Sequence, residues 1–258
     1  MRPPPRWLRR APLVAGPLRH TMKRLAPQGP LRAQVEGIAL DLAPADNKVD
    51  FDVWYKARLE EAAERAFLAA HLGPGEWFVD IGANIGLYTL SLLHRVPGAR
   101  AVAFEPLARL RGRLAANLAL NGLAERAIIR PEAVGPDGTL ELYESRNAGR
   151  SSLIPFEGAR PGDAVAVRPL AALLAEAGAG PPSALKIDVE GFEAEALMPY
   201  FDTAPERDWP RAIVIETLHR ASWRRDCLQE LFQRGYERAG TSDENAFLLR
   251  DSGNPPTK

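Results

Sequence analysis

Three short stretches of the chain combine residue types that chemistry needs. The first is Asp80-Ile81-Gly82-Ala83-Asn84-Ile85-Gly86, which follows the apolar run Trp77-Phe78-Val79. Glycine reaches left-handed backbone conformations without steric cost and asparagine tolerates them better than most side chains, so Gly82, Asn84 and Gly86 make a tight turn that a ligand can approach closely. The second is Glu105, 23 residues after Gly82, at the tip of the next apolar run. A carboxylate at that place accepts two hydrogen bonds from a ribose diol, so turn and acid together describe an adenosine-ribose pocket. The third is Lys186-Ile187-Asp188-Val189-Glu190, where strand alternation puts Lys186, Asp188 and Glu190 on one face. Buried parallel strands are normally apolar throughout, so three ionisable residues in register need partners; they mark a site or form a self-neutralising ion cluster.

The pocket's ligand follows from details of the turn. A dinucleotide turn reads G-x-G-x-x-G and leaves amides free at a helix start for a pyrophosphate. Here the turn is G-x-N-x-G, and Asp80 sets a negative charge beside it. That charge is unfavourable for a pyrophosphate and suits the ammonium and sulfonium of S-adenosylmethionine. A nucleotide-dependent oxidoreductase is therefore the disfavoured enzyme alternative, and a catalytically silent nucleoside-binding scaffold is the alternative from another class.

The elements that must position these residues are legible from about Leu40 onward. Residues 56–71 carry Leu59, Ala63, Ala66, Phe67 and Ala70 on one helical face, and Gly73-Pro74-Gly75 ends that helix. Strand, turn and helix then recur: a strand to Ile81 and a helix bearing Leu87, Leu90 and Leu93; a strand at 101–104 and a helix with Leu107, Leu110, Leu114 and Leu118, capped by Asn121-Gly122; and a strand at 127–130. Such succession predicts a doubly wound α/β fold with right-handed crossovers. Residues 132–183 are rich in glycine, proline and alanine, with strands expected at 139–144 and near 165–168. Further strands are expected at 184–189 and 212–216, separated by a helix from about Phe192 to Tyr200, and a helix carrying Trp223, Cys227, Leu228, Leu231 and Phe232 precedes two short runs expected to pair at the sheet edge.

Composition bounds the reading. The chain has 258 residues, 46% hydrophobic and 26% charged, with 33 basic and 33 acidic residues. Residues 1–35 hold eight of the basic residues and no acid, and they are rich in proline, so residues 1–37 read as a flexible basic arm ahead of one domain at 38–258. The body then carries an acidic excess, which argues against duplex nucleic acid as a partner. No apolar stretch approaches the roughly 18 residues of a membrane span. Cys227 is the single cysteine, so disulfides within the chain and thiolate clusters are excluded and a reducing, cytoplasmic setting is expected.

VDIGANIGLYTL (79–90), FEP (104–106), NLALNGL (117–123) and above all LKIDVEGFEAEAL (185–197) resemble the FkbM family of S-adenosylmethionine-dependent methyltransferases, as do the later IVIE (213–216) and NAFLL (245–249). The resemblance covers roughly residues 40–250. It implies a Rossmann-like class I methyltransferase sheet of seven strands with the last antiparallel, and O-methylation of a hydroxyl on a saccharide, glycolipid or secondary metabolite. It also implies that the strands ending at Asp80, Asp188 and Glu216 are neighbours whose carboxylates gather around the transferred methyl group. Asp188 is then the leading base, Lys186 holds it ionised or orients the acceptor oxygen, and Glu190 binds a second acceptor hydroxyl. Ala133-Val134-Gly135 resembles the family's adenine-contacting turn, with Asp137 as a possible helper, and Ser151-Ser152-Leu153 a loop near the acceptor. A divalent metal on Asp188, Glu190 and Glu216 is a chemical variant, but Lys186 in the same cluster argues against it and none is expected. His219 reads as a surface loop residue with a lesser claim to the base role, and Cys227 as core.

Overall fold

The computed structural model describes residues 15–145 and 151–250. In chain order the elements that matter are helix α1 (Ala15–Arg24), strands β1 (Leu31–Val35) and β2 (Ile38–Leu42), helices α2 (Lys48–Lys56) and α3 (Ala62–Ala70), β3 (Trp77–Ile81), α4 (Leu87–Arg95), β4 (Arg100–Phe104), α5 (Ala108–Leu120), β5 (Ala127–Arg130) and β6 (Ala133–Val134). They continue with β7 (Gly138–Ser145), β8 (Ser151–Ser152), β9 (Ala159–Arg168), α6 (Leu170–Glu176), β10 (Pro182–Ile187), α7 (Glu193–Thr203), β11 (Ala212–Glu216), α8 (Cys227–Gln233), β12 (Glu237–Thr241) and β13 (Asn245–Leu249).

The central sheet has seven strands in the order β12-β13-β11-β10-β3-β4-β5. β10 is parallel to both β3 and β11, with Lys186 opposite Asp80 on one side and Val214 on the other. β13 runs antiparallel to β11, so the doubly wound α/β sheet with its last strand reversed is the architecture observed. The two closing runs do pair, with β13 inserted beside β11 and β12 at the edge. β3 and β11 are buried along their whole length, which the apolar runs WFV and AIVI require of strands covered on both faces. The difficult stretch from 132 to 183 forms a second sheet, β6-β9-β7-β8, in which β7 and β9 are the long strands.

Three sequence expectations need correction. The basic arm is not wholly free: α1 and the β1–β2 hairpin pack on the domain, burying Met22, Ala26 and Val35. Pro17 lies in the first turn of α1, where a missing N–H forfeits no helical bond, so the prolines concealed a helix rather than forbidding one. Its basic residues find acids in the body, Arg19 with Asp52 at 2.6 Å and Arg32 with Asp41 at 3.3 Å. Residues 1–14 of the expected arm lie outside the described residues.

The hairpin is held by the NLALNGL stretch. Asn117 Oδ1 accepts from Asp41 N at 2.8 Å, and Asn121 bonds both ways with the backbone of Ala39, at 2.9 and 2.8 Å. These two asparagines give an edge strand the backbone partners it otherwise lacks.

The single helix expected over 56–71 is two. α2 ends at Ala57 and α3 is preceded by Glu61, both with left-handed backbones at φ 50° and 56°. Arg65, 1% exposed, fixes the break: its guanidinium donates to Glu60 O at 2.9 Å, Ser91 Oγ at 2.8 Å and Glu36 Oε2 at 3.2 Å. Leu59 is buried as expected, but from the connection rather than from a helical face. Trp223 likewise precedes α8 instead of belonging to it.

Candidate active site

A cavity of ≈ 790 Å³ opens at the carboxyl ends of β3, β4, β10 and β11, the place where open α/β sheets bind ligands. Gly82, Asn84, Glu105, Ala133, Val134, Lys186, Asp188 and Glu190 all line it, so most of the residues singled out in the sequence meet there.

Glu105 occupies the β4 end. Its Oε2 accepts from Asn84 N at 2.8 Å and its Oε1 from Leu107 N at 2.9 Å, which fixes the carboxylate and leaves one lone pair on each oxygen. Burial pushes its pKa up to about 7 against those two hydrogen bonds and the Lys186 charge. Asn84 is left-handed as expected, at φ 52°, and its Oδ1 accepts from its neighbour's amide at 2.9 Å.

The two glycines work differently from the expectation. A Cβ on Gly82 would lie 2.0 Å from Asp188 O, and one on Gly86 would lie 2.2 Å from Leu114 Cδ1. Their missing side chains admit protein neighbours, the loop after β10 and helix α5, rather than ligand atoms. Gly86 does not line the cavity.

Asp80 is also displaced from its expected role. It is fully buried behind the cavity wall, with Oδ2 accepting from Thr89 Oγ1 at 2.7 Å and Thr89 N at 3.2 Å. Its Oδ1 lacks a hydrogen-bond partner, and Lys186 Nζ stands 3.8 Å away. Strand alternation directs this side chain under helix α4, so it meets a ligand only through Lys186. Burial raises the Asp80 pKa, with Lys186 and Thr89 opposing.

Lys186, 5% exposed, is the hub. Nζ donates to Gly82 O at 2.8 Å and lies 3.6 Å from Asp188 Oδ2. Burial would lower its pKa, but the Asp188 and Asp80 carboxylates outweigh that and raise it, so the lysine is charged. Asp188 is the partly exposed partner of this ion cluster, which is therefore self-neutralising on its buried side and open to the cavity on the other.

Beyond Ile187 strand alternation ends. Glu190 is left-handed at φ 55°, held by Ser152 Oγ donating to its carbonyl at 2.9 Å, which places the Ser151-Ser152-Leu153 loop at the cavity. Glu193, which sequence reasoning missed, fixes the same loop from beneath: it accepts from Val189 N at 2.9 Å, from Gly191 N at 3.1 Å and from Trp223 Nε1 at 2.7 Å. The signal was present as an acid in the first turn of a helix that follows a glycine. His219 Nδ1 is 3.3 Å from Glu216 Oε2 and 3.7 Å from Glu190 Oε2. Among the described residues these three have ligand atoms within 4.8 Å of one another, so the group able to hold a metal contains His219 in place of Asp188. Burial and the carboxylates of Asp188, Glu193 and Glu190 push the Glu216 pKa well up. Asp137 pairs with Arg168 at 3.8 Å and is not among the residues that line the cavity.

Residues 80–238 match the family described as "Methyltransferase FkbM domain". The chain belongs to the FkbM methyltransferase family. Among curated proteins, the FkbM chain is 34% identical to "Methyltransferase sdnD" of Sordaria araneosa over 115 residues, 44% of this chain and 43% of that protein. It is 57% identical to "AMB antimetabolite synthetase AmbE" of Pseudomonas aeruginosa over 47 residues, 18% of this chain and 2% of the synthetase. The chain thus spans less than half the length of these relatives. A methyltransferase structure from Geobacter sulfurreducens superposes with a TM-score of 0.46 at 12% identity, covering 73% of this chain and 76% of that one. The M. capricolum TrmK structure, in complex with S-adenosyl-homocysteine, gives 0.42 at 9% identity over 72% and 65%. No helix of the described residues is long and apolar enough to cross a membrane.

Proposed function

We propose that this FkbM protein is a cytoplasmic S-adenosylmethionine-dependent O-methyltransferase acting on a hydroxyl of a saccharide, glycolipid or secondary metabolite. The cavity fits the cofactor on its chemistry: Glu105 keeps two lone pairs for a ribose diol, Ala133 and Val134 offer an apolar wall for the adenine, and the Gly82–Asn84 backbone borders the amino-acid end. When bound, the cofactor supplies a methyl group on a sulfonium.

The observation that carries the reading is Asp188, held 3.6 Å from a buried lysine on one side and open to the cavity on the other. A hydroxyl hydrogen-bonded to Asp188 would lose its proton to that carboxylate as its oxygen takes the methyl carbon from sulfur and the sulfur–carbon bond breaks. Lys186 stands 3.6 Å from that carboxylate and holds it in place, and Glu190 orients a neighbouring acceptor hydroxyl. Closing the acceptor between the Ser152 loop and the β10 loop aligns the oxygen for in-line attack, from which positioning draws much of its rate advantage.

The test is calorimetric titration with S-adenosylhomocysteine, NADH as competitor and Glu105→Ala as control. Micromolar binding of the nucleoside, lost in the variant and absent for NADH, supports the proposal. Binding of NADH alone overturns it, and binding of neither leaves the protein without the expected cofactor.

A further inference from the structure

The cavity is asymmetric in charge. Glu105 is the acid at the end of β4, and Asp52, Glu60 and Asp243 also line the cavity. Its other end, at β10, β11 and β13, is walled by Glu61, Glu64, Asp188, Glu190, Glu216 and Glu244. Asn245, the first residue of β13, donates from Nδ2 to Glu61 Oε1 at 3.1 Å and to Glu64 Oε1 at 3.4 Å, which draws the carboxylates at the start of α3 to the end of the sheet. Of the lysines that line the cavity, Lys23 on α1 and Lys48 on α2 stand on another wall, and the two nearest these acids are engaged. Lys186 serves Gly82 O, Asp80 and Asp188, and Lys56 pairs with Glu60 Oε2 at 2.6 Å.

Tyr88 adds a second and independent sign of a ligand. The residue is 6% exposed, its ring lies in the cavity wall, and its hydroxyl has no hydrogen-bond partner. Burial, and then the Glu61, Glu64, Asp188 and Asp80 carboxylates, act on it, and Lys186 Nζ lies over the ring face, 5.4 Å from its centroid. A buried hydroxyl left unpaired is costly, so its pairing belongs to the liganded state. The group that fits a hydroxyl acceptor among carboxylates is a donor with positive charge. A neutral polyol entering this end would desolvate the Glu61 and Glu64 carboxylates without bringing them a counter-charge.

We infer that the methyl acceptor carries a protonated primary amine beside its hydroxyl, and that Tyr88, Glu61 and Glu64 bind this ammonium. The inference rests on the proposed methyltransferase reading and names the substrate class within it: amino alcohols and amino sugars rather than neutral polyols. The ammonium donates to the Tyr88 oxygen and to the two glutamates, while the hydroxyl faces Asp188.

The probes are 2-aminoethanol and its N-acetyl derivative, which share the hydroxyl and differ in the charge. Saturation-transfer NMR is run on the protein with and without saturating S-adenosylhomocysteine. The expected result is at least tenfold tighter binding of 2-aminoethanol. Glu61→Gln removes that preference, and Tyr88→Phe reduces it severalfold. The S-adenosylhomocysteine affinity of both variants stays within twofold of the parent, which also reports that they are folded. Equal binding of the two probes, binding of neither, or an amine preference untouched by both variants overturns the inference. Failure of S-adenosylhomocysteine to bind, with the amine preference intact, would instead overturn the methyltransferase reading and leave the ammonium site standing.

Discussion

Lys186 reaches from β10 across to the glycine turn of β3 and donates to Gly82 O at 2.8 Å, joining the two stretches of sequence that carry the chemistry. The same Nζ stands between Asp80, which is sealed from water, and Asp188, which faces the cavity. One side chain therefore compensates a buried charge, pins the turn and pairs with the proposed base.

Lys186→Met tests that triple role. Removing one member of a buried ion cluster leaves an uncompensated charge, at a cost of about 3–5 kcal/mol. Burial has already raised the Asp80 pKa above its unfolded value, and the loss of Lys186 raises it further. A raised carboxyl pKa stabilises the fold most at low pH and loses that contribution as pH rises through the folded value. The variant is therefore expected to be closer to the parent at pH 5 than at pH 8 in thermal unfolding, and Asp80→Asn in the same chain to recover part of the loss. A pH-independent deficit would refute the account.

Glu105 carries a pH dependence of its own. Its carboxyl titrates near 7 in the free protein, and a ribose diol needs the ionised form. Below that value the ionised fraction falls tenfold per pH unit, so S-adenosylhomocysteine affinity is expected to be level above pH 8 and to weaken by up to about tenfold per unit below pH 7. Binding at pH 6 should accordingly be coupled to proton release, visible as a buffer-dependent heat. Glu105→Gln loses a charged acceptor worth about 1.5–3 kcal/mol per hydrogen bond and is expected to bind at least tenfold more weakly with a flat pH profile.

Much of this was legible in the sequence because the determining physics is local. The apolar run before Gly82, the helical period after it and the recurrence of that unit fix a parallel sheet, and the pairing of β10 with β3 and β11 brings Lys186 beside Asp80. What escaped depends on contacts distant in the chain. Asp80 looks like a ligand residue by spacing, yet its side chain turns under α4 to Thr89. Glu61 and Glu64 lie within the single helix expected over 56–71 and were not singled out there; the left-handed break at Ala57 and Glu61, held by Arg65, places them at the cavity. Asn121 read as a helix cap, and its side chain holds the β1–β2 hairpin 82 residues away.

The two glycines of the turn are expected to differ under substitution, although both have positive φ, 80° and 89°. A Cβ on Gly82 meets backbone, Asp188 O, which can move only by displacing the proposed base. A Cβ on Gly86 meets the end of the Leu114 side chain, which can rotate or be shortened. Each alanine adds about 1–2 kcal/mol for the left-handed conformation. Beyond that, Leu114→Ala should relieve the steric part of Gly86→Ala, whereas no single second substitution should restore Gly82→Ala. Unfolding midpoints of the two single variants and the double variant settle the comparison; equal behaviour of the two glycines would contradict the packing argument.

Asp188→Asn separates the base from the binding site. Asparagine keeps the size of the side chain and removes both the negative charge beside Lys186 and the capacity to take a proton. Loss of general-base assistance typically costs 10²–10⁴ in rate. Methyl transfer to the acceptor, followed as S-adenosylhomocysteine formation, is expected to fall by about that factor in kcat, with cofactor affinity changed only a few-fold. Because Lys186 retains Asp80 as its counter-charge, the variant should remain folded. If transfer were instead limited by positioning, Glu190→Gln would lower kcat as much as Asp188→Asn and raise the acceptor KM as well; a loss in kcat confined to Asp188→Asn assigns the proton to Asp188.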